Sequence, residues 1–175
     1  MGIDYDAFRA QQEEVIYEPT VPSTGESSAS STRAYSQLCV RRVEAAAGLL
    51  LEKVSQSIYK TPDSKKGFIF CSSKAYRQGQ REKYWYGYRK NPISAISDCE
   101  EKYMVYGCKD ADEILVIPVE TMEALTSRMN YSAEEDGIVS HWHVVFFRNL
   151  DGHMTQLLSN PELEEIDVDS YKLAH

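Results

Sequence analysis

The chain has 175 residues, 42% of them hydrophobic and 26% charged, and a formal net charge of −8. That length and balance suit one globular domain with a core of its own. The acidic balance excludes coating of nucleic acid or of an anionic membrane by the whole surface, and the longest apolar run, 45–51, is too short to cross a bilayer.

The first residues carry no basic stretch leading into an apolar run, so no secretory signal is read and the expected location is the cytoplasm. The four cysteines, Cys39, Cys71, Cys99 and Cys108, have no C-x-x-C spacing. They read as reduced thiols, two or more of them buried in strands. Structural zinc favours short ligand pairs, which these lack.

In chain order, residues 1–17 form a short segment with a brief helix expected around 6–15, which could dock a partner. Residues 18–32, rich in Pro, Ser and Thr, read as a flexible linker. Residues 33–175 read as a single α+β domain. It opens with a long helix capped by Ser31 or Thr32. Its buried stripe is Tyr35, Cys39, Val43, Ala46, Leu50 and Val54, widened by Leu38, Ala47 and Leu51.

Strands follow at 67–73 and 83–89, with an exposed, mobile basic loop at 72–83 between them. Two more, 102–108 and 113–118, are joined by a tight turn at "KDAD". A short helix is expected over 120–130, capped by Thr121, with Leu125 and Met129 facing in. Strands 141–148 and 153–159 flank "NLDG", where Asp-Gly suits a hairpin. Residues 166–173 read as a last edge strand. The expected fold is a mostly antiparallel sheet of five to seven strands, packed by the long N-terminal helix and a second short one.

Charge is unevenly spread. Residues 60–90 hold nine basic and two acidic side chains, so this stretch carries +7 and the remainder −15. Within it, "KYWYGYRK" (83–90) places Tyr84, Trp85, Tyr86 and Tyr88 among cations. Strand alternation puts the three tyrosines on one face and Trp85, Gly87 and Arg89 on the other, so one face packs inward and the flanking charges reach solvent. Basic side chains neutralise phosphates, and exposed rings stack unpaired bases. The expected nucleic-acid contacts are Lys74, Arg77, Arg81, Lys83, Arg89 and Lys90, with Tyr76 and Trp85 for stacking.

His141 and His143 share a strand face at a spacing that could hold a metal, but no third ligand is identifiable, and His153 falls too far along the hairpin. Two ordinary strand histidines are the simpler account. Asp98, Glu100 and Lys102 supply a D-x-E-x-K arrangement that a Mg²⁺-dependent nuclease could use. The same residues also fit a solvated turn before a strand. No P-loop, G-x-G-x-x-G or G-x-S-x-G is present, so no cofactor is expected and no enzyme class is indicated. "GCKDADE" lacks the glycine and closing Glu of an EF-hand loop.

Taken together, "KYWYGYR", "MVYGCKDADEILVIPVETMEALTSRMN" and "HWHVVFF", over about 84–148, resemble an uncharacterised prokaryotic domain often fused to restriction-type or DNA-processing regions. The resemblance implies a DNA-associated accessory role in processing or defence and transfers no catalytic residue. The expected function is therefore nucleic-acid binding through the basic aromatic patch. The alternatives are a protein-interaction module (inhibitor, immunity or adaptor protein), working through residues 1–17 or the acidic surface, and the metal-dependent nuclease.

Overall fold

The computed structural model describes residues 28–174, with side chains from residue 33 onward. The expected helix at 6–15 and most of the expected linker lie outside the described residues. The fold is mixed α/β and mostly strand. Among the described residues it contains three helices, α1 (Ser28–Ala47), α2 (Asn91–Ser94) and α3 (Val119–Leu125). The strands are β1 (Glu52–Lys53), β2 (Ile58–Lys60), β3 (Lys66–Ser73), β4 (Tyr76–Gln78), β5 (Arg81–Tyr88) and β6 (Glu101–Cys108), followed by β7 (Glu113–Pro118), β8 (Tyr131–Ala133), β9 (Val139–Arg148), β10 (Met154–Leu158) and β11 (Glu164–Asp167). Two 3-10 turns, Thr126–Arg128 and Asp169–Tyr171, follow α3 and β11.

The strands form two sheets rather than the one expected. The first has the order β1-β2-β3-β6-β7; the second has β11-β10-β9-β5-β4, with β8 also paired to β9. All pairings are antiparallel except β3 with β6, which run parallel from Lys66↔Glu101 to Ser73↔Cys108. The reason is in the burial. "GFIF" and "MVYGC" are continuous apolar runs because both faces of β3 and β6 are covered. Phe68, Phe70 and Val105 face α1 through Tyr35, Cys39, Val40 and Val43. Ile69, Met104, Tyr106 and Cys108 face the second sheet, where Tyr84, Tyr86, Tyr88, Val144, Phe146, Met154 and Leu158 meet them. The layers are thus helix, first sheet, second sheet, and among the described residues no layer covers the outer face of the second sheet.

Close approach of α1 depends on Gly107. A Cβ there would lie 2.8 Å from Cys39 Sγ and 2.9 Å from Tyr35 Cε1. The Tyr35 hydroxyl donates to the Glu113 carbonyl at 3.4 Å, and Arg42 pairs with Asp112 at 2.8 Å, tying the helix to the β6–β7 turn. The buried stripe of α1 is shorter than expected. The helix ends at Ala47, Gly48 takes φ +61°, and Leu49 N–H bonds back to the Glu44 carbonyl at 3.1 Å, a glycine-terminated helix end. Leu50 and Val54 therefore leave the helix and are exposed. At its other end α1 starts at Ser28, ahead of the expected caps.

Three further expectations change. Residues 72–83 are not an irregular loop: β4 and β5 form a hairpin, Gln78↔Arg81, around Gly79-Gln80, with Gly79 at φ +64°. The short helix is capped at Pro118 instead of Thr121, and Met122 is the residue it buries completely. The expected last edge strand begins earlier, as β11, and gives way to a 3-10 turn. The "KDAD" and "NLDG" turns stand where they were expected, between Cys108 and Glu113 and between Arg148 and Met154. No described helix is long and apolar enough to cross a membrane.

Candidate functional site

The alternation in β5 answers the question raised by its sequence. Tyr84, Tyr86 and Tyr88 are 0%, 4% and 0% exposed, while Trp85 between them is 42% exposed. The tyrosines build the core between the sheets; Tyr86 donates to the Gly107 carbonyl at 3.0 Å. Trp85 stands on the uncovered face of the second sheet, and its backbone N–H donates to Ser73 Oγ at 3.4 Å, where the chain turns from the first sheet into the second.

Strand register places β9 beside β5, with Trp85↔Val145 and Gly87↔His143. The outward residues of β9 are then His141, His143, Val145 and Phe147. The Trp85 ring lies edge-on to His141 at 5.9 Å and to His143 at 5.6 Å, and the two imidazoles stack at 5.3 Å. Gly87 makes room for this: a Cβ there would sit 3.3 Å from His141 Cδ2. His143 Nε2 is 2.9 Å from Ser132 Oγ on β8, and His141 Nδ1 is 2.8 Å from Ser140 Oγ. Burial, then the Arg89 guanidinium, pushes His141 below the ordinary histidine range; burial, then His141, does the same to His143. Both rings are therefore neutral at pH 7. Burial also lowers the Lys83 ammonium.

The rest of this face is closed. Arg81 lies 4.1 Å over the Phe147 ring and reaches both carboxylate oxygens of Glu165 at 2.9 Å. Glu165 also accepts from the Thr155 hydroxyl at 2.7 Å. This arch explains why Phe147, on an outward position, is only 3% exposed. The open half is bounded by Lys83 on β5, by Arg89 just past its end, and by Tyr76 on β4, which is opposite Lys83 in the register and is 51% exposed. Lys74 Nζ sits 5.6 Å over the Tyr76 ring.

Of the eight expected contacts, Lys74, Tyr76, Lys83, Trp85 and Arg89 thus gather around one open surface. Arg81 is on the same face but is held by Glu165. Arg77 pairs with Glu82 in the β4–β5 hairpin and so belongs to the opposite face. Lys90 lies 5.2 Å over the Trp142 ring, on the inward side of β9. The +7 of residues 60–90 is also partly spent at a distance: Lys60 pairs with Asp98 and Lys66 with Glu101, on the first sheet. His141 and His143 belong to the surface as aromatic neighbours of Trp85. Their place beside it follows only from the β5–β9 register, which no local motif announces.

The other expectations find structural roles or none. Asp98 is held by Lys60 at 2.6 Å, and its carboxyl is lowered by that hydrogen bond. Among the described residues, the one group of three metal-capable side chains is His153, Asp167 and Asp169. It includes none of Asp98, Glu100, His141 or His143, and the protein's own donors occupy it: Lys172 Nζ reaches Asp169 Oδ1 at 2.7 Å, and His153 Nδ1 lies 2.6 Å from Oδ2. Cys39, Cys99 and Cys108 are buried, though only Cys108 of these is in a strand; the strand thiol Cys71 is half-buried. Burial pushes the Cys108 thiol up to about 12, so it is no nucleophile. In "GCKDADE", Asp110 accepts from the Ala75 N–H and Asp112 holds Arg42.

The chain matches no family model, no curated protein and no solved structure.

Proposed function

We propose that the open half of the outer face binds single-stranded nucleic acid, as an accessory domain of a prokaryotic DNA-processing or defence system. The observation that carries the reading is Trp85: an indole 42% exposed in the middle of a sheet, on a face where the other half is closed by side chains. Exposed rings on a rigid sheet accept the faces of unpaired bases, and the cations beside them take the phosphates. Trp85 and Tyr76 are the stacking rings, and Lys83, Arg89 and Lys74 are the phosphate contacts. The acidic remainder of the surface favours this one docking orientation by repelling the polyanion elsewhere.

The test is fluorescence anisotropy of labelled single- and double-stranded DNA and RNA, at about 50 and about 200 mM salt, where phosphate contacts weaken steeply. Salt-sensitive binding that prefers single strands is the expected result. Absence of binding at the lower salt overturns the proposal and directs the search to a protein partner.

A further inference from the structure

A groove lies where β7, an edge strand of the first sheet, and β11, an edge strand of the second, come together beside α3. Ile117 of β7, Gln156 of β10 and Ile166 and Asp167 of β11 line it, α3 supplies Glu120, Thr121, Ala124 and Leu125, and Val168 and Tyr171 close its end. Its volume is about 450 Å³, within the range of small-molecule sites.

Gln156 is out of place by any packing argument. It is 0% exposed, between Met154 and Leu158 on β10, and opposite Phe146 on β9 and Ile166 on β11. Among the described residues, neither its Oε1 nor its Nε2 has a hydrogen-bond partner. An apolar residue of that shape would spare the fold an unpaired buried donor and acceptor. A carboxamide instead offers both, side by side.

We propose that this groove binds a small uncharged molecule with an apolar body and a carboxamide or lactam edge, and that Gln156 is its hydrogen-bond partner. A second amide edge returns a donor to Oε1 and an acceptor to Nε2 from two adjacent atoms, whereas a carboxylate has no donor and an alcohol must serve both from one oxygen. Ile117, Leu125 and Ile166 hold the apolar body. Glu120 and Asp167 line the same groove and repel an anion.

The experiment titrates nicotinamide into the ¹⁵N-labelled full chain and follows amide shifts, with benzoate as the anion of matching shape. Saturable shifts at Ile117, Leu125, Ile166 and Val168 with nicotinamide, and none with benzoate, are expected. Gln156→Leu, whose melting temperature should equal or exceed the parent's, should weaken nicotinamide by about tenfold or more, the scale of one lost polar pairing. Ala124→Trp, on the exposed side of α3, fills the groove with Gln156 still present and should abolish binding; it stands as the test if Gln156→Leu does not fold. Unsaturable shifts, benzoate binding as well as nicotinamide, or undiminished affinity in a folded Gln156→Leu chain would each overturn the proposal. None of these outcomes depends on the outer face of the sheet.

Discussion

Tyr84 and Trp85 are neighbours in the chain and opposites in burial: the phenol is fully enclosed between two sheets, and the indole is 42% exposed on the far side of the same strand. One face of β5 therefore serves the fold and the other is free to serve a ligand. Changes on the two faces should have different signatures.

Trp85→Ala should leave the melting curve nearly unchanged and weaken single-strand binding by roughly 5- to 150-fold, the range set by about 1–3 kcal/mol per stacked base. Anisotropy and thermal denaturation on the same preparation separate the two effects. A large fall in melting temperature with intact affinity would place the ring in the core's service.

The cations should divide by face. Lys83→Ala and Arg89→Ala should each reduce the slope of log affinity against log salt by about one unit. Arg77→Ala, on the opposite face, should not change it. Arg81→Ala should act on stability instead, because it uncovers Phe147 and leaves Glu165 without its guanidinium.

Acid should strengthen binding through the histidine pair. His141 and His143 sit below their ordinary value of 6.5, so they are neutral at pH 7 and gain charge only below 6.5. Affinity for a polyanion should rise as pH falls from 7 to 5, and the double change His141→Gln, His143→Gln should flatten that rise. The sign for stability is the reverse. The unfolded chain takes up these protons first, so the pair's contribution to folding is present above 6.5 and declines as pH falls.

His153 works the other way. Its hydrogen bond with Asp169 raises it above 6.5. Partial burial opposes ionisation of Asp169, and hydrogen bonds from Lys172, the Met154 N–H and His153 outweigh it, holding that carboxyl at about 2. Asp169 is then charged throughout the neutral range. The stabilisation from His153 is complete below 6.5 and is lost as pH rises through its raised value. The difference in melting temperature between parent and His153→Gln should shrink from pH 6 to pH 9; a constant difference would contradict the ion pair.

Gly107→Ala tests the seat of α1. Its Cβ would fall 2.8 Å from Cys39 Sγ, so the helix must lift. A loss of about 1–3 kcal/mol is expected for such overpacking, at roughly 2–4 °C in Tm per kcal/mol for a chain of this size.

Much of the fold was legible where one strand face is apolar and the other is not, or where both are. "KYWYGY" alternates because it has one open face, and "GFIF" runs on because it has none. The β4–β5 hairpin has little signature in the sequence, because β4 is exposed on both faces and has no apolar row to mark it; Gly79 is its punctuation. The apolar spacing of α1 continues past Gly48, where the backbone turns left-handed and the helix has already ended. The division into two sheets, and the meeting of Trp85 with His141 and His143, arise from pairing between distant segments, and spacing along the chain does not encode it. The burial of Gln156 arises from its partners on β9 and β11, which its place along β10 does not specify.

The strands are dealt to the two sheets in turn: β1 to β3 go to the first, β4 and β5 to the second, β6 and β7 to the first again, and β8 to β11 to the second. The connection across the parallel seam from β3 to β6 runs through β4 and β5 of the other layer. Strands β4 and β5 of the second sheet lie between β3 and β6 of the first, and β6 and β7 of the first lie between β5 and β8 of the second, so no contiguous stretch of chain holds one sheet without strands of the other. Opening should be all-or-none, with slow exchange at the amides of β3, β6, β5 and β9 failing together. The surface that carries Trp85 therefore shares its lifetime with the layer on which α1 rests.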